Sequence, residues 1–287
     1  MTTLYHYCPS TSFTSIISAR AIWLSSLILS NDLMEGKVLS KAFSRKMDKD
    51  SVDVRTRNEL ERSLRKFEED FDGLGFCLSE VGDLLSQWRG YADDGRGYSI
   101  GFAKEYLEEL SSIPGANDHR FMIRKVIYDQ LEQENAILTT YNGIREDILS
   151  GEIRFAHPPT LLTSTDYEKE SKEYIEAYKD SMHLLWIRVL RALPDMFALK
   201  SEAFSEEKEY RLVSLLMKDT EDDCLFRSRN DRLIPYRQYE LKKLTSESIS
   251  EVIIGPKNVT PEIFVEMFLR QNGFNNVKIS RSAATYR

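Results

Sequence analysis

β-Type alternation stands at both ends of this chain and helical periodicity fills its middle, a distribution that limits the fold more than any single motif. Residues 4–8 alternate as a short strand, and residues 21–27 are a β-rich run. Late in the chain, residues 210–216, 233–241, 251–256 and 277–280 repeat the strand signature. Between them, residues 129–150 and 166–193 carry helical spacing on either side of the breaker Pro158-Pro159. Strands from both ends must then pair across a helical interval. The expected fold is α+β: one domain over residues 1–287, with a mixed, mostly antiparallel sheet and a helical insertion at about 129–193.

Local signals fill in the rest. Residues 13–20 read as a helix with Phe13, Ile16 and Ile17 on one face, and the hydroxyls of Ser10, Thr11 and Ser12 are placed to cap it. Residues from about 35 to 71 read as a charged helical region. There Arg62, Arg65 and Lys66 interleave with Glu61, Glu68 and Glu69, the pattern of a solvated face. Residues 73–79, 98–102 and 121–128 read as strands, 198–200 as a short one, and 83–92, 104–110 and 261–271 as helices. Pro235 marks its strand as an edge. The stripe Ile175, Tyr178, Met182, Leu185 and Val189 is expected to pack on the sheet, with a dimer helix as the alternative.

Composition excludes several classes. No apolar run approaches the roughly 20 residues that span a membrane, and no basic–apolar–small pattern opens the chain. Cys8, Cys77 and Cys224 lack metal-ligand spacing, and their sparse, odd number fits a reducing cytoplasm. His6, His119, His157 and His183 are scattered, so no metal is expected. A net charge of −7 argues against binding of nucleic acid by the whole surface. A local basic groove stays open: Arg227, Arg229, Arg232 and Arg237 cluster, with Arg281 and Arg287 at the tail, although solvated arginines give the same pattern.

Few residues carry a chemical signal. Glu209, Arg211 and Val213 share one face of an alternating strand, opposite Tyr210 and Leu212. An acid at a strand start with an arginine two residues on can line a cleft; a salt-bridged strand-end acid is the plainer alternative, and Glu206 and Glu207 compete for the role. His6 lies between Tyr5 and Tyr7 and suits acid–base work or a neutral donor role. A half-buried histidine bonded to backbone is its alternative. Ser25, Ser26, Ser79 and Ser99 lie in or at the ends of strands, but no Gly-x-Ser-x-Gly elbow surrounds them. No phosphate-binding loop is present, and Gly95-x-Gly97 precedes a strand, so it is turn chemistry. Trp88 and Tyr91, near Gln87, offer a stacking wall for a base or nicotinamide ring, or ordinary core.

One set of motifs resembles a known family. Leu4-Tyr5-His6-Tyr7, Ile22-Trp23-Leu24-Ser25-Ser26, Asn31-Asp32, Glu35, Phe76-Cys77-Leu78-Ser79, Trp88-x-x-Tyr91-Ala92, Gly97-Tyr98-x-Ile100-Gly101-Phe102, Glu207-x-Glu209-Tyr210-Arg211 and Ile253-Ile254-Gly255-Pro256 look like the bacterial family known as domain of unknown function 2971. The histidine strand, short helix and Ser-ended strand are also similar to DNA-modifying ADP-ribosyltransferase toxins and to the transferase that removes 2′-phosphate from transfer RNA. That second resemblance implies an ADP-ribosyltransferase-like sheet core with NAD as substrate. His6 would contact the adenosine ribose and Glu209 the nicotinamide ribose. Tyr91 or Tyr98 would flank the nicotinamide, while Tyr7, Ser25, Trp88 and Arg211 complete the NAD side. Asn31, Asp32 and Glu35 would face the acceptor, a nucleic acid or a protein. The segment Gly97–Phe102 departs from the second motif of those enzymes. The implied role is a cytoplasmic toxin or phage-defence effector. Two other readings are a non-catalytic nucleotide- or partner-binding protein on the same fold, and a nuclease using Asp32, Glu35 and Glu209.

Overall fold

The computed structural model describes residues 2–29, 38–115, 118–155, 166–218, 224–229, 231–245 and 247–284. In chain order the elements are β1 (Thr3–Cys8), α1 (Ser10–Ala19), β2 (Ala21–Ser26), α2 (Val38–Lys49), α3 (Val54–Asp70), β3 (Phe71–Ser79), α4 (Leu85–Tyr91), β4 (Tyr98–Ala103), α5 (Lys104–Ser112) and β5 (Met122–Lys125). Then follow α6 (Gln130–Ser150), α7 (Tyr167–Leu190), α8 (Leu193–Met196), a 3₁₀ turn (Glu202–Glu207), β6 (Glu209–Met217), β7 (Leu225–Arg229), β8 (Arg232–Glu240), β9 (Ile249–Ile254), α9 (Glu262–Gln271) and β10 (Lys278–Arg281). The fold is mixed α/β with a largely antiparallel, open sheet. No described helix is long and apolar enough to cross a membrane.

Contacts divide the chain into two compact units. The first draws on residues 1–33, 72–126 and 202–287 and holds the sheet. Its strand order is β10-β9-β4-β1-β3-β2-β8-β7, with β6 pairing β3 and β5. The β9–β10 pair is parallel. Leu4, Ile22, Ile100, Leu212 and Val252 are fully buried on the main core face. There α1 adds Phe13, Ile16 and Ile17, each burial contributing about 1.5–3 kcal/mol. Arg20 ends α1 in the left-handed region (φ 48°), its N–H donating to the Ile16 and Ile17 carbonyls, and β2 starts at the next residue. On the opposite face Tyr7, Trp88, Ala92 and Ile253 form a second cluster. The turn before β4 needs Gly95 at φ 82°. Gly97 lies so close to the Cys8 carbonyl that no side chain fits there.

The second unit, from residues 34–71 and 127–201, is helical. Residues 129–193 supply α6 and α7, and α2 and α3 join them from earlier in the chain. Asp53 caps α3 by accepting from the Arg55 and Thr56 amides; Asp129 caps α6 through the Leu131 and Glu132 amides. Arg188 of α7 grips Asp147 of α6 with two 2.7 Å bonds. The Gln133 amide donates to the carbonyls of Ile127, Tyr128 and Lys200, tying the ends of this segment together.

Several sequence expectations are corrected. The helical region expected over residues 35–71 consists, among the described residues, of two helices, broken before the Asp53 cap, with Ser51 at φ 52°. The hydroxyls of Ser10, Thr11 and Ser12 do not cap α1: Pro9 is the cap residue and no side chain bonds there. Residues 198–200 contribute one bridge, Leu199 to Ile127, not a strand. Pro235 is not on an edge, because β8 lies between β2 and β7. The β2 register has ended by then, at Ser25–Tyr236, so the missing N–H costs no β2 bond. The α7 stripe meets α3: the Tyr178 hydroxyl accepts from Arg62, and the Ser63 hydroxyl reaches Met182 Sδ. Ile175, at its far end, is exposed.

Candidate functional site

β3 organises the site because three strands pair with it. A strand has two edges, so two of the three share one. β2 takes the first half, with Ser25 opposite Gly75 and Ser26 opposite Leu74. β1 takes the end, with Tyr5 opposite Ser79. Cys77 lies between these pairings. Its carbonyl is bonded by a side chain, the His6 imidazole, at 2.8 Å from Nδ1. A carbonyl only accepts, so Nδ1 carries the proton and Nε2 keeps its lone pair. The ring stacks on Phe76 at 3.9 Å. Burial lowers the imidazole from 6.5 to about 4, opposed by the Cys77 bond and aided by the charge of Arg227. His6 is therefore neutral near pH 7. Arg227, from β7, also bonds Ser25 Oγ at 3.0 Å and lies 5.9 Å from the Trp23 ring.

The acids sit where β6 begins beside the end of β3. Ser79 Oγ donates to the Glu207 carbonyl, and the Glu80 amide to that of Lys208. Lys208 is left-handed (φ 44°), a strained turn between two buried acids. Glu206 is exposed. Glu207 accepts from the Tyr91 hydroxyl at 3.0 Å. Glu209 is bound in bidentate fashion by Arg211, Nε to Oε1 at 2.8 Å and Nη2 to Oε2 at 3.1 Å. Arg211 is 1% exposed, one of the largest wholly buried side chains. Nearby on β6, Ser214 accepts from Arg237 Nη1 and from the Tyr239 hydroxyl.

Strand alternation decides which groups share a face. Tyr210, Leu212 and Leu216 enter the main core, so Glu209 and Arg211 lie on the other face of β6. Tyr7 and Ser25 are also opposite the core residues of their strands. His6, with Leu4 and Cys8, is on the core face of β1. The structure thus does not present His6 and Glu209 on one face. Three further expectations change. Trp88 is wholly buried, its Nε1 bonded to Asp83 at 2.6 Å, and offers no open ring face. Tyr98 is core, stacked on Phe13 at 4.1 Å and bonded to Thr260. Tyr7 is held by Val81 and Leu84, and burial raises its phenol. Tyr91 keeps partial exposure beside Glu207. Asn31, Asp32 and Glu35 lie outside the described residues.

Sequence reasoning missed one anchor. Asp72 is buried and accepts from Ser26 Oγ at 2.5 Å and from the Ile28 amide, and burial raises its carboxyl. The strand-end hydroxyl was the available signal, but its partner is 46 residues away. Among the described residues no three His, Cys, Asp or Glu side chains gather to hold a metal.

No curated protein and no solved structure matches the chain. Residues 87–212, which include Trp88, Tyr91, Tyr98, Glu207, Glu209 and Arg211, match the family model described as Protein of unknown function (DUF2971), and over that span the chain is similar to this family.

Proposed function

We propose that this chain is an ADP-ribosyltransferase-like enzyme that cleaves NAD and transfers ADP-ribose to a nucleic-acid or protein acceptor. The observation that supports the reading is the buried Glu209–Arg211 pair at the start of β6, close in the chain to Glu207, which accepts from the partly exposed Tyr91; His6 lies on the opposite face and takes no part in it. In the reaction the bond between ribose C1′ and the nicotinamide nitrogen breaks, and its electron pair leaves with nicotinamide. The ribose gains oxocarbenium character, and the acceptor nucleophile closes the new bond to C1′. Glu209 would hold the nicotinamide ribose while that charge develops. Arg227 or Arg237 supplies donors for the pyrophosphate.

A second reading has its own support. Arg211 already matches the Glu209 charge, and His6 is engaged with backbone, so the same groups suit a non-catalytic nucleotide-binding protein. One experiment separates them. The full chain is incubated with NAD, with and without DNA, RNA or lysate protein, beside Glu209→Gln, and released nicotinamide is measured. Release by the wild type, lost in the folded variant, supports the enzyme. NAD binding by calorimetry without release supports the binding protein, and neither binding nor release removes both.

A further inference from the structure

We propose that the cavity between α3 and α7 in the helical unit binds a small amphiphilic anion, with an aromatic or aliphatic body and one acidic head group. The cavity holds about 460 Å³, within the range of small-molecule sites. Its floor is apolar: Phe67, Leu185 and Val189 are buried there, with Trp186 and Met182 half-buried beside them. Trp186 is fixed by Phe67 and by Phe71, whose ring lies at 5.7 Å, so one aromatic wall is preformed. The mouth differs in character from the floor. Three cations, Arg62, Arg65 and Lys66, border it against one acid, Glu69.

The cations are not equally committed. Arg62 donates to the Tyr178 hydroxyl at 2.7 Å, crossing from α3 to α7, and to Glu59. Lys66 pairs with Asp70 at 2.6 Å. Arg65 has a long contact to Glu61, 3.8 Å, and its side chain is 60% exposed. An apolar floor with one loosely paired guanidinium at its mouth is complementary to an organic anion whose body is desolvated while its head stays near water. Arg65 is the residue that meets the head group. The helical spacing that marked this face as solvated also brings these cations to the mouth.

The test titrates the full chain with 8-anilinonaphthalene-1-sulfonate and with N-phenyl-1-naphthylamine, which has the same rings and no sulfonate, and reads probe fluorescence. The sulfonate is expected to bind saturably at one site, more tightly than the amine. Arg65→Glu should weaken the sulfonate about tenfold and leave the amine unchanged. Met182→Trp, which fills the cavity, should weaken both, with circular dichroism confirming that each variant is folded. The proposal is overturned if the sulfonate does not saturate, or if the folded variants bind it like the wild type. Equal binding of the two probes would overturn the anion assignment. A wild-type dimer that Met182→Trp dissociates would give the cavity to a second copy instead.

Discussion

Breaking the Glu209–Arg211 pair from either side should cost far more than removing it whole. Both groups are buried, Arg211 at 1% and Glu209 at 5% exposure, and two bonds of 2.8 and 3.1 Å join them. At an effective dielectric of about 20, charges about 4 Å apart attract by about 4 kcal/mol. Removing one partner strands the other charge in the interior, at a cost of about 3–5 kcal/mol. Glu209→Leu and Arg211→Met should each fall in that range, lowering Tm by roughly 2–4 °C per kcal/mol. The double variant leaves no buried charge at these two positions and should lie within about 2 kcal/mol of wild type. The assay is a double-mutant cycle by urea denaturation, followed by tryptophan fluorescence. A coupling energy of about 3 kcal/mol or more is expected. Single variants costing under about 1 kcal/mol, or a double variant equal to the sum of the singles, would refute a buried, mutually dependent pair. The result also governs the activity test, because Glu209→Gln must be assayed well below its own melting temperature.

Three further outcomes follow from the same geometry. His6 has its folded pKa lowered from 6.5 to about 4, so the unfolded chain binds more protons between those values. Stability should therefore fall as pH drops from about 6.5 towards 4, by about 1–3 kcal/mol after allowing for the ring's partial solvent access; His6→Phe should flatten that slope in urea titrations, and an unchanged slope would contradict the assignment. Asp72 has the opposite sign: its folded pKa is raised, so stability should fall as pH rises from the usual carboxylate value through the raised one, and Asp72→Asn should remove that fall. Glycines give a contrast by melting temperature. Gly97→Ala must push against the Cys8 carbonyl and should cost about 1–3 kcal/mol, whereas Gly90→Ala, in α4 with nothing near its added methyl, should gain about 0.5–1 kcal/mol.

The strands whose residues alternate without competing signals were legible in the sequence: β1, β2, β4, β6 and β9 begin and end within a few residues of their expected bounds. β7 was not: Leu225-Phe226-Arg227-Ser228-Arg229 drew notice only for its clustered arginines, and its strand shows in the pairing with β8. The break between α2 and α3 was hidden in continuous charge, since its local signal is one Asp cap. At the site, period-two alternation placed Glu209 and Arg211 on a common face, where they meet as an ion pair. Alternation within one strand cannot state which face of a neighbour it matches. That depends on registers between β1, β3 and β6, which join residues 71 and 128 positions apart. His6 and Glu209 therefore looked like partners and lie on opposite faces. Trp88 and Tyr98 failed differently: an aromatic ring serves a core or a ligand equally well in sequence, and only packing decides.

The pairing with Arg211 bears directly on whether Glu209 can act on a sugar. A carboxylate has about four lone-pair positions, and the two Arg211 bonds occupy one on each oxygen. A guanidinium fork fixes the carboxylate plane. A ribose hydroxyl reaching it would meet an oriented acceptor. In the proposed reaction the same fork would remove much of the charge that a developing oxocarbenium feels, so a Glu209 held this way would act more through hydroxyl positioning than through bare Coulomb attraction. The two contributions separate by experiment. If positioning dominates, Glu209→Gln, which keeps one acceptor oxygen beside Arg211, should retain measurable NAD binding while nicotinamide release falls. If charge alone matters, binding and release should depend on ionic strength together, and Arg211→Met, which frees the charge, should raise release in whatever fraction of the variant stays folded. An increase in the Arg211→Met variant would overturn the positioning role argued here for the pair.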